Sequence, residues 1–540
     1  MMKWISRLNV LLKFSFLFPI FSFLLLANCN SNPKNLCDPA TNEFLRLSIL
    51  KSILNDSSPS CGLNWANTNN GSFTLGGTIS GLTASGLVLS SGTSPNQTVS
   101  LTSGSTNFQF SNVLALNSTY SVTISTQPAG LNCTVSNGSG TITAKVVNVA
   151  ITCVLPVVAT PTFSPTPGNY GTVQANITIT TTTASATIYY TTDGSTPTTA
   201  STLYTTGLGH IWFLAGRTLR AIAVRSGFTN SNIASAEYSY IPVKSGQPAS
   251  FVAGDDGTSQ LGIARSYTDN LNETVTDNAT GLLWQKCSLG LSDAVCSTGS
   301  ATTRAWAPAQ TDCTALTTAG RAWRLPSRYE LETLQDYGTF TPSINGTVFP
   351  ATQTLNGYWS STTNELNSIN AWLVGFNLGD LVGTQNKTNN PIFYVRCVSG
   401  PSQTSFVKYI DNGNGTVLDR QTGLVWQKCS VGQNNDAVCS GGASSPDWTT
   451  ALANCSGLGL ASRTWRLPNV KELQTIFDVS RTSFPTIDTN FFPATVNAKY
   501  WSSTTYAVTA VSAWVVDFND GSSNFASKGS NLRVRCVSGP

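Results

Sequence analysis

The sequence predicts a multidomain, mostly β chain in which two homologous α+β domains fill the C-terminal half and two all-β sandwich domains precede them. Three observations predict it. "TGLLWQKC" at 280 to 287 returns as "TGLVWQKC" at 422 to 429, and the same offset carries Tyr267 onto Tyr409, Cys313 onto Cys455, "WRLP" at 323 onto 465 and "YWSSTT" at 358 onto 500. Charged residues are only 10% of 540, long Glu, Lys and Ala runs are absent, and Ser, Thr, Asn and Gly abound, which favours sheets joined by polar turns. A chain of this length exceeds the roughly 250 to 300 residues at which single cores stop growing.

The N-terminus reads as an export signal over 1–28. Lys3, Arg7 and Lys13 precede an apolar run from Phe14 to Ala27 that is short for a membrane span. That run ends in "LLLANC", which resembles a bacterial lipobox with Asn28 where Gly or Ala is usual; the resemblance implies lipidation of Cys29 and a membrane anchor through its acyl chains. The alternative is ordinary cleavage that leaves Cys29 free. The expected location is outside the cytoplasm, on the outer membrane or cell surface.

Cysteine parity agrees with export. Thirteen cysteines less Cys29 leave an even set suited to disulfides. The set falls by domain: Cys37 and Cys61, Cys133 and Cys153, then Cys287, Cys296, Cys313 and Cys397 in the first repeat and Cys429, Cys439, Cys455 and Cys536 in the second. Four cysteines allow three pairings, so counting alone does not fix them.

Residues 29–70 read as a tether in which Phe44, Leu45, Ile49 and Ile53 or Leu54 recur at helical spacing, closed by a Cys37 to Cys61 bridge. Residues 71–155 alternate short runs such as "NQTVSLTSG" and "YSVTISTQ" with Gly, Asn and Ser, the pattern of a small β-sandwich stapled by Cys133 and Cys153. In 156–243, "ATIYYTTDGSTPT", "LYTTG", "GRTLRAIAVRSGFTNS" and "AEYSY" resemble the immunoglobulin-like domain at the C-terminus of chitobiases and hexosaminidases. There the module accompanies a catalytic barrel, so a stalk is implied, with sugar contact as the other reading. Asp193-Gly194 suits a tight hairpin.

The repeats span 251–400 and 405–540. Trp306, Ala309, Cys313 and Leu316 share one helical face, as do Trp448, Leu452 and Cys455. After "WRLP", Ser327 with Glu330 and Asn469 with Glu472 have capping-box spacing, and Leu331 with Leu334, or Leu473 with Ile476, supply the buried stripe. "YWSSTT", "AWLVGFNLGD" or "AWVVDFNDGS", and "FYVRCVSG" or "LRVRCVSG" read as strands. In the last, Cys397 and Cys536 face a core, and Arg396, Arg533 and Arg535 point to the other face. If the first helix lies on the sheet, its Cys meets the final-strand Cys. That favours Cys313–Cys397 and Cys455–Cys536, with Cys287–Cys296 and Cys429–Cys439 as local loops. The long bridges would each contribute roughly 4 kcal/mol by the chain-entropy model.

This order of motifs resembles the Lcl C-terminal domain, named for a collagen-like bacterial adhesin, and the wider C-type-lectin-like fold that includes formylglycine-generating enzymes. By resemblance, the founding adhesin's domain binds glycosaminoglycans, so host or matrix glycans are the implied partners. Trp359, Trp372, Trp501 and Trp514 could stack on sugars, and Arg328, Lys387, Lys471, Lys499 and Lys528 could meet sulfates or carboxylates. Core packing for the tryptophans and structural hydrogen bonds for Arg324 and Arg466 are the competing readings. Asp517, Asn519 and Asp520 could ligate a hard cation, but the first copy lacks both carboxylates at the matching positions, so no metal is assigned.

Function classes narrow accordingly. His210 is the only histidine, no nucleophile triad, zinc or phosphate motif occurs, and every domain cysteine has a candidate partner, so no catalytic residue and no cofactor are assigned. Residues 251 to 540 hold 19 Lys and Arg against 21 Asp and Glu, which gives no support for nucleic-acid binding. The expected function is a surface lipoprotein, an adhesin or carbohydrate binder. The alternatives are a structural envelope protein without ligand and an enzyme related to the formylglycine-generating group. Oligomeric state is not legible.

Overall fold

A computed structural model describes residues 72–170, 176–378, 382–388, 393–401 and 408–539. The signal segment, Cys29, the tether helix and the Cys37–Cys61 bridge lie outside these residues. The chain divides into two compact units, Met1–Pro156 and Val157–Pro540.

In the first unit, Leu75–Ser80 lies between Asn107–Gln109 and Val146–Val154 in a four-stranded sheet completed by Asn132–Ser136, and a three-stranded sheet accompanies it. Val149, Ile151 and Cys153 alternate inward and join Leu75, Leu87, Leu89 and Phe110 in one core. Cys133 and Cys153 sit opposite each other across the strand pair and are bridged, as expected. Gly77 is needed for the close strand pairing, because a Cβ there would fall 1.9 Å from the Val149 carbonyl oxygen.

The second unit begins with a β domain whose five-stranded sheet runs Gly168–Tyr170, Ala234–Tyr240, Thr218–Val224, Thr187–Thr191, Thr202–Leu203. Leu219, Ala221 and Ala223 alternate into its core. The Asp193-Gly194 expectation is half right. Gly194 has φ +80°, and the Asp193 carboxylate accepts from Ser195 N at 3.0 Å and Ser195 Oγ at 2.6 Å. These residues sit within a long connection (192–201), because Tyr190 pairs with Thr202.

Among the described residues each repeat has two helices of six residues or more, α1 (Trp306–Ala315) and α2 (Arg328–Leu334) in the first and α3 (Trp448–Ser456) and α4 (Val470–Thr475) in the second. α2 and α4 both start in full capping boxes, with Glu330 and Glu472 returning to the Ser327 and Asn469 backbone at 2.7 and 2.8 Å. The four bridges of the repeats are Cys287–Cys296, Cys313–Cys397, Cys429–Cys439 and Cys455–Cys536, the pairing the helix-on-sheet argument favours.

The closing phrase departs from a single strand. Phe393–Tyr394 joins one sheet and Val398–Ser399 another, with Cys397 crossing between them. Layers therefore cover both sides, and Arg396 and Arg535 are fully buried rather than aimed at an outer face. Arg396 donates to the Lys286 carbonyl at 2.7 Å and Thr352 Oγ1 at 2.8 Å, with Phe349 beneath it. Arg535 repeats this with the Gln427 carbonyl, Thr495 Oγ1 and Phe492.

The repeats do not fold side by side as separate bodies. Strands β1 (Tyr358–Thr363), β2 (Asn370–Val374) and β3 (Val382–Asn386) of the first repeat and β4 (Lys499–Thr505), β5 (Ser512–Asp517) and β6 (Ser523–Ser527) of the second, with the short pieces Thr303–Arg304 and Phe393–Tyr394 at the first repeat's edge, form one eight-stranded sheet, joined where Val382 pairs with Ser523. Those two residues are structural counterparts, since Val382 pairs with Val374 in its own hairpin and Ser523 with Val516. Contact between like positions is the mark of a two-fold arrangement, here within one chain. The helices obey it too: Tyr329 and Lys471 occupy the same position, and Tyr329 donates to the Phe477 carbonyl at 2.7 Å while Lys471 donates to the Glu332 carbonyl. Trp372 meets Phe477 and Trp514 meets Tyr337 edge to face across the junction.

A strap of residues 244–262, ahead of the first repeat's opening strand Tyr267–Asp269, covers the second repeat. Gln247 Oε1 accepts from Thr505 N at 2.6 Å, and Thr504 donates to Asp256 at 2.7 Å. Burial pushes the Asp256 carboxyl up to about 6.

Arg328 holds this junction from inside. It pairs with Glu332 at 2.9 Å, donates to the Gly521 carbonyl at 2.7 Å and lies 4.0 Å from the Trp372 ring centre and 4.3 Å from that of Phe477, fully buried. Removing one partner of a buried pair strands the other charge. Arg328→Ala is therefore expected to lower unfolding free energy by about 3–5 kcal/mol in denaturant titration. A loss within experimental error would show that the junction does not depend on this pair.

Candidate functional site

The repeated phrases prove to be internal clamps. Trp284 and Trp426 are fully buried, and the next residues, Gln285 and Gln427, accept from the Cys397 and Cys536 backbone amides. Lys286 pairs with Asp269 at 2.6 Å and Lys428 with Asp411 at 2.7 Å. In "WRLP", Trp323 and Trp465 donate to the Thr318 and Leu460 carbonyls, and Arg324 and Arg466 grip Glu330 and Glu472 through two bonds each. Every bond is made twice, once per copy.

Both repeats match the Lcl C-terminal domain. The family model covers residues 273–399 and 415–538, and the model of the chitobiase/beta-hexosaminidase C-terminal domain covers 165–236. No curated protein matches the chain.

The residues expected to meet ligand are mostly committed to the Lcl scaffold. Trp359 and Trp501 are buried and donate to the Arg304 and Pro446 carbonyls, while Trp372 and Trp514 lie in the junction between repeats. None offers a ring face to a sugar. Arg328 is enclosed, as described. Lys387 and Lys528 play one part in each copy, donating to Thr363 and Thr505 hydroxyls while lying over the Trp306 and Trp448 rings. Lys471 is buried against the Glu332 carbonyl, and burial pushes its ammonium well below the usual lysine range. Lys499, partly exposed like Lys387 and Lys528, lies beside Asp517 on the paired strand. Asp517 and Asp520 cap separate backbone amides, those of Asn519 and Ser522, and among the described residues no cluster of three or more His, Cys, Asp or Glu could hold a metal.

The structure places a different feature on the two-fold axis. The upstream β domain straddles both Lcl repeats and touches the same turn in each. Gly281 (φ +74°) lies under the His210 ring and Gly423 (φ +72°) against the Asn169 amide, where a Cβ would come within 2.6 and 2.9 Å. Trp212 joins the core of Val275, Leu282 and Trp284, Tyr240 N donates to the Gln421 carbonyl at 2.9 Å, and Arg420 bonds Glu237 at 2.9 Å.

Between this β domain and the α2 and α4 helices lies a cavity of about 660 Å³. That size is typical of small-molecule sites. Tyr240 and Trp212 form the β-domain wall, Tyr329 and Thr280 come from the first repeat, and Tyr409 and Phe491 from the second. Burial raises the phenols of Tyr240, Tyr329 and Tyr409 above the usual tyrosine range, so they stay protonated donors. Tyr329 spends its proton on the Phe477 carbonyl; the hydroxyls of Tyr240 and Tyr409 have no hydrogen-bond partner among the described residues.

Charges at the cavity divide into satisfied and unsatisfied groups. Lys408 donates to the Thr475 carbonyl and sits 3.7 Å from Asp419, and Glu332 is held by Arg328. Asp478 and Asp488 are half-buried on the wall. Each binds nearby backbone with one oxygen, from Ser480 N and Asn490 N, and neither is paired with a cation among the described residues. Of the wall residues the sequence singled out Lys471 as a ligand contact and Ser327 as a helix cap, but it did not point to Tyr240, Tyr329, Asp478, Asp488 or Phe491, because the wall is assembled from three modules; the available signal was divergence between copies at Tyr329/Lys471 and Gln335/Phe477 inside otherwise repeated motifs.

If docking over the two glycines closes the cavity, Gly281→Val should cost about 1–3 kcal/mol from the left-handed backbone alone. Displacement of His210 adds to it. Unchanged stability in thermal and chemical melts would mean the β domain does not press on that turn.

Proposed function

We propose that this chain is an exported lipoprotein, anchored through Cys29, that binds carbohydrate at the outer-membrane or cell surface and performs no catalysis. Two Lcl repeats and a chitobiase-type β domain, both kinds of module associated with surface or carbohydrate proteins, support a carbohydrate-associated role. The two-helix, small-sheet plan of each repeat supports a C-type-lectin-like fold. The axial cavity carries the binding part of the reading, since aromatic rings beside convergent hydroxyls and carboxylates are what a sugar site requires. Against the formylglycine-generating alternative, the ten cysteines of the described residues form five bridges and leave no thiol there for that chemistry.

The test is to present the oxidised full chain to an array of neutral, amino and sulfated glycans at physiological salt. Retention of a defined glycan class is expected. No retention of any glycan by a folded, surface-exposed protein would support the structural envelope role instead.

A further inference from the structure

The cavity differs from the surface the family resemblance implies, and its difference has chemical content. The two lysines on its wall are spent on backbone carbonyls, Thr475 for Lys408 and Glu332 for Lys471. Lys408 is further offset by Asp419, and Glu332 by Arg328. The groups left over are two carboxylates, Asp478 and Asp488, and two phenol hydroxyls, Tyr240 and Tyr409. A sulfate or carboxylate entering here would meet the Asp478 and Asp488 carboxylates, while Lys408 on the same wall is already offset by Asp419, an arrangement that costs rather than stabilises. A ring bearing only hydroxyl, acetamido or amino groups would find acceptors in the carboxylates, donors in the phenols, and flat faces in the half-buried rings of Tyr240, Tyr329 and Phe491.

Resting on the carbohydrate reading above, we infer that the axial cavity binds one saccharide unit without anionic groups per chain, through Asp478, Asp488 and the Tyr240 and Tyr409 hydroxyls. The site belongs to neither repeat alone. Tyr329 and Tyr409 come from different repeats and Tyr240 from the β domain, so the duplication makes one composite site rather than two equal ones. Avidity from paired sites is then not the purpose of the second copy.

Isothermal titration of the full chain with maltose, cellobiose and N,N′-diacetylchitobiose, and with a heparin tetrasaccharide as the sulfated arm, tests this. At least one neutral disaccharide should bind at one per chain, with affinity insensitive to salt. Tyr409→Phe removes a single oxygen and Asp488→Asn a single charge; each should weaken that binding by about tenfold while the melting curve stays in place. Heparin binding at two per chain, unchanged by these variants and weakened by salt, would overturn the inference and leave the carbohydrate reading standing. Absence of binding by every sugar in both arms would overturn both.

Discussion

Tyr329 and Lys471 stand at the same position after the same capping box, and each reaches across to a carbonyl at the far end of the other repeat's helix. This reciprocal contact, with the Val382–Ser523 strand pairing beside it, is the constraint on which the rest of the second unit depends. It buries Trp372, Trp514 and the Arg328–Glu332 pair, groups that either repeat alone would expose. It also brings the two Thr-Gly turns into positions that one β domain can cover, and that covering creates the cavity. An isologous interface normally joins two subunits. Here the duplication fixes both halves in one chain, and their faces are free to diverge.

Divergence is visible at the axis. Where a symmetric dimer would carry identical residues, the first repeat has Arg328, Glu332, Gln335 and Tyr337, and the second has Val470, Gln474, Phe477 and Val479. Gln474 donates to Tyr337 at 2.7 Å and to Ser523 at 2.9 Å, and Phe477 fills the space under Trp372. One buried ion pair on the axis is therefore enough; a second, symmetric Arg–Glu pair would add a further desolvation cost.

Much of each repeat was legible because its determinants are local or periodic. Capping boxes and the inward cysteines of α1 and α3 follow from countable spacing, and the pairing of those cysteines with the closing strand follows once the helix is laid on the sheet. The buried state of Arg396 and Arg535 did not follow. Alternation assigns a face, but says nothing of whether another layer covers it, and here the chain crosses between two sheets at that point. The same gap explains the tryptophans and lysines: composition marks them as able to bind sugars, whereas only tertiary placement reveals that Trp359 donates to Arg304 or that Lys528 lies on Trp448. The cavity was invisible for a third reason, since Tyr240, Tyr329 and Tyr409 approach one another only after three modules dock.

Hydrogen exchange read by mass spectrometry across a denaturant series tests the single-body account most directly, because it reports the opening free energy of each strand separately. β2 of the first repeat and β5 of the second should open together, with one free energy and one denaturant dependence. Opening of either strand while the other stays protected would contradict the account, for the repeats would then be two domains that merely touch.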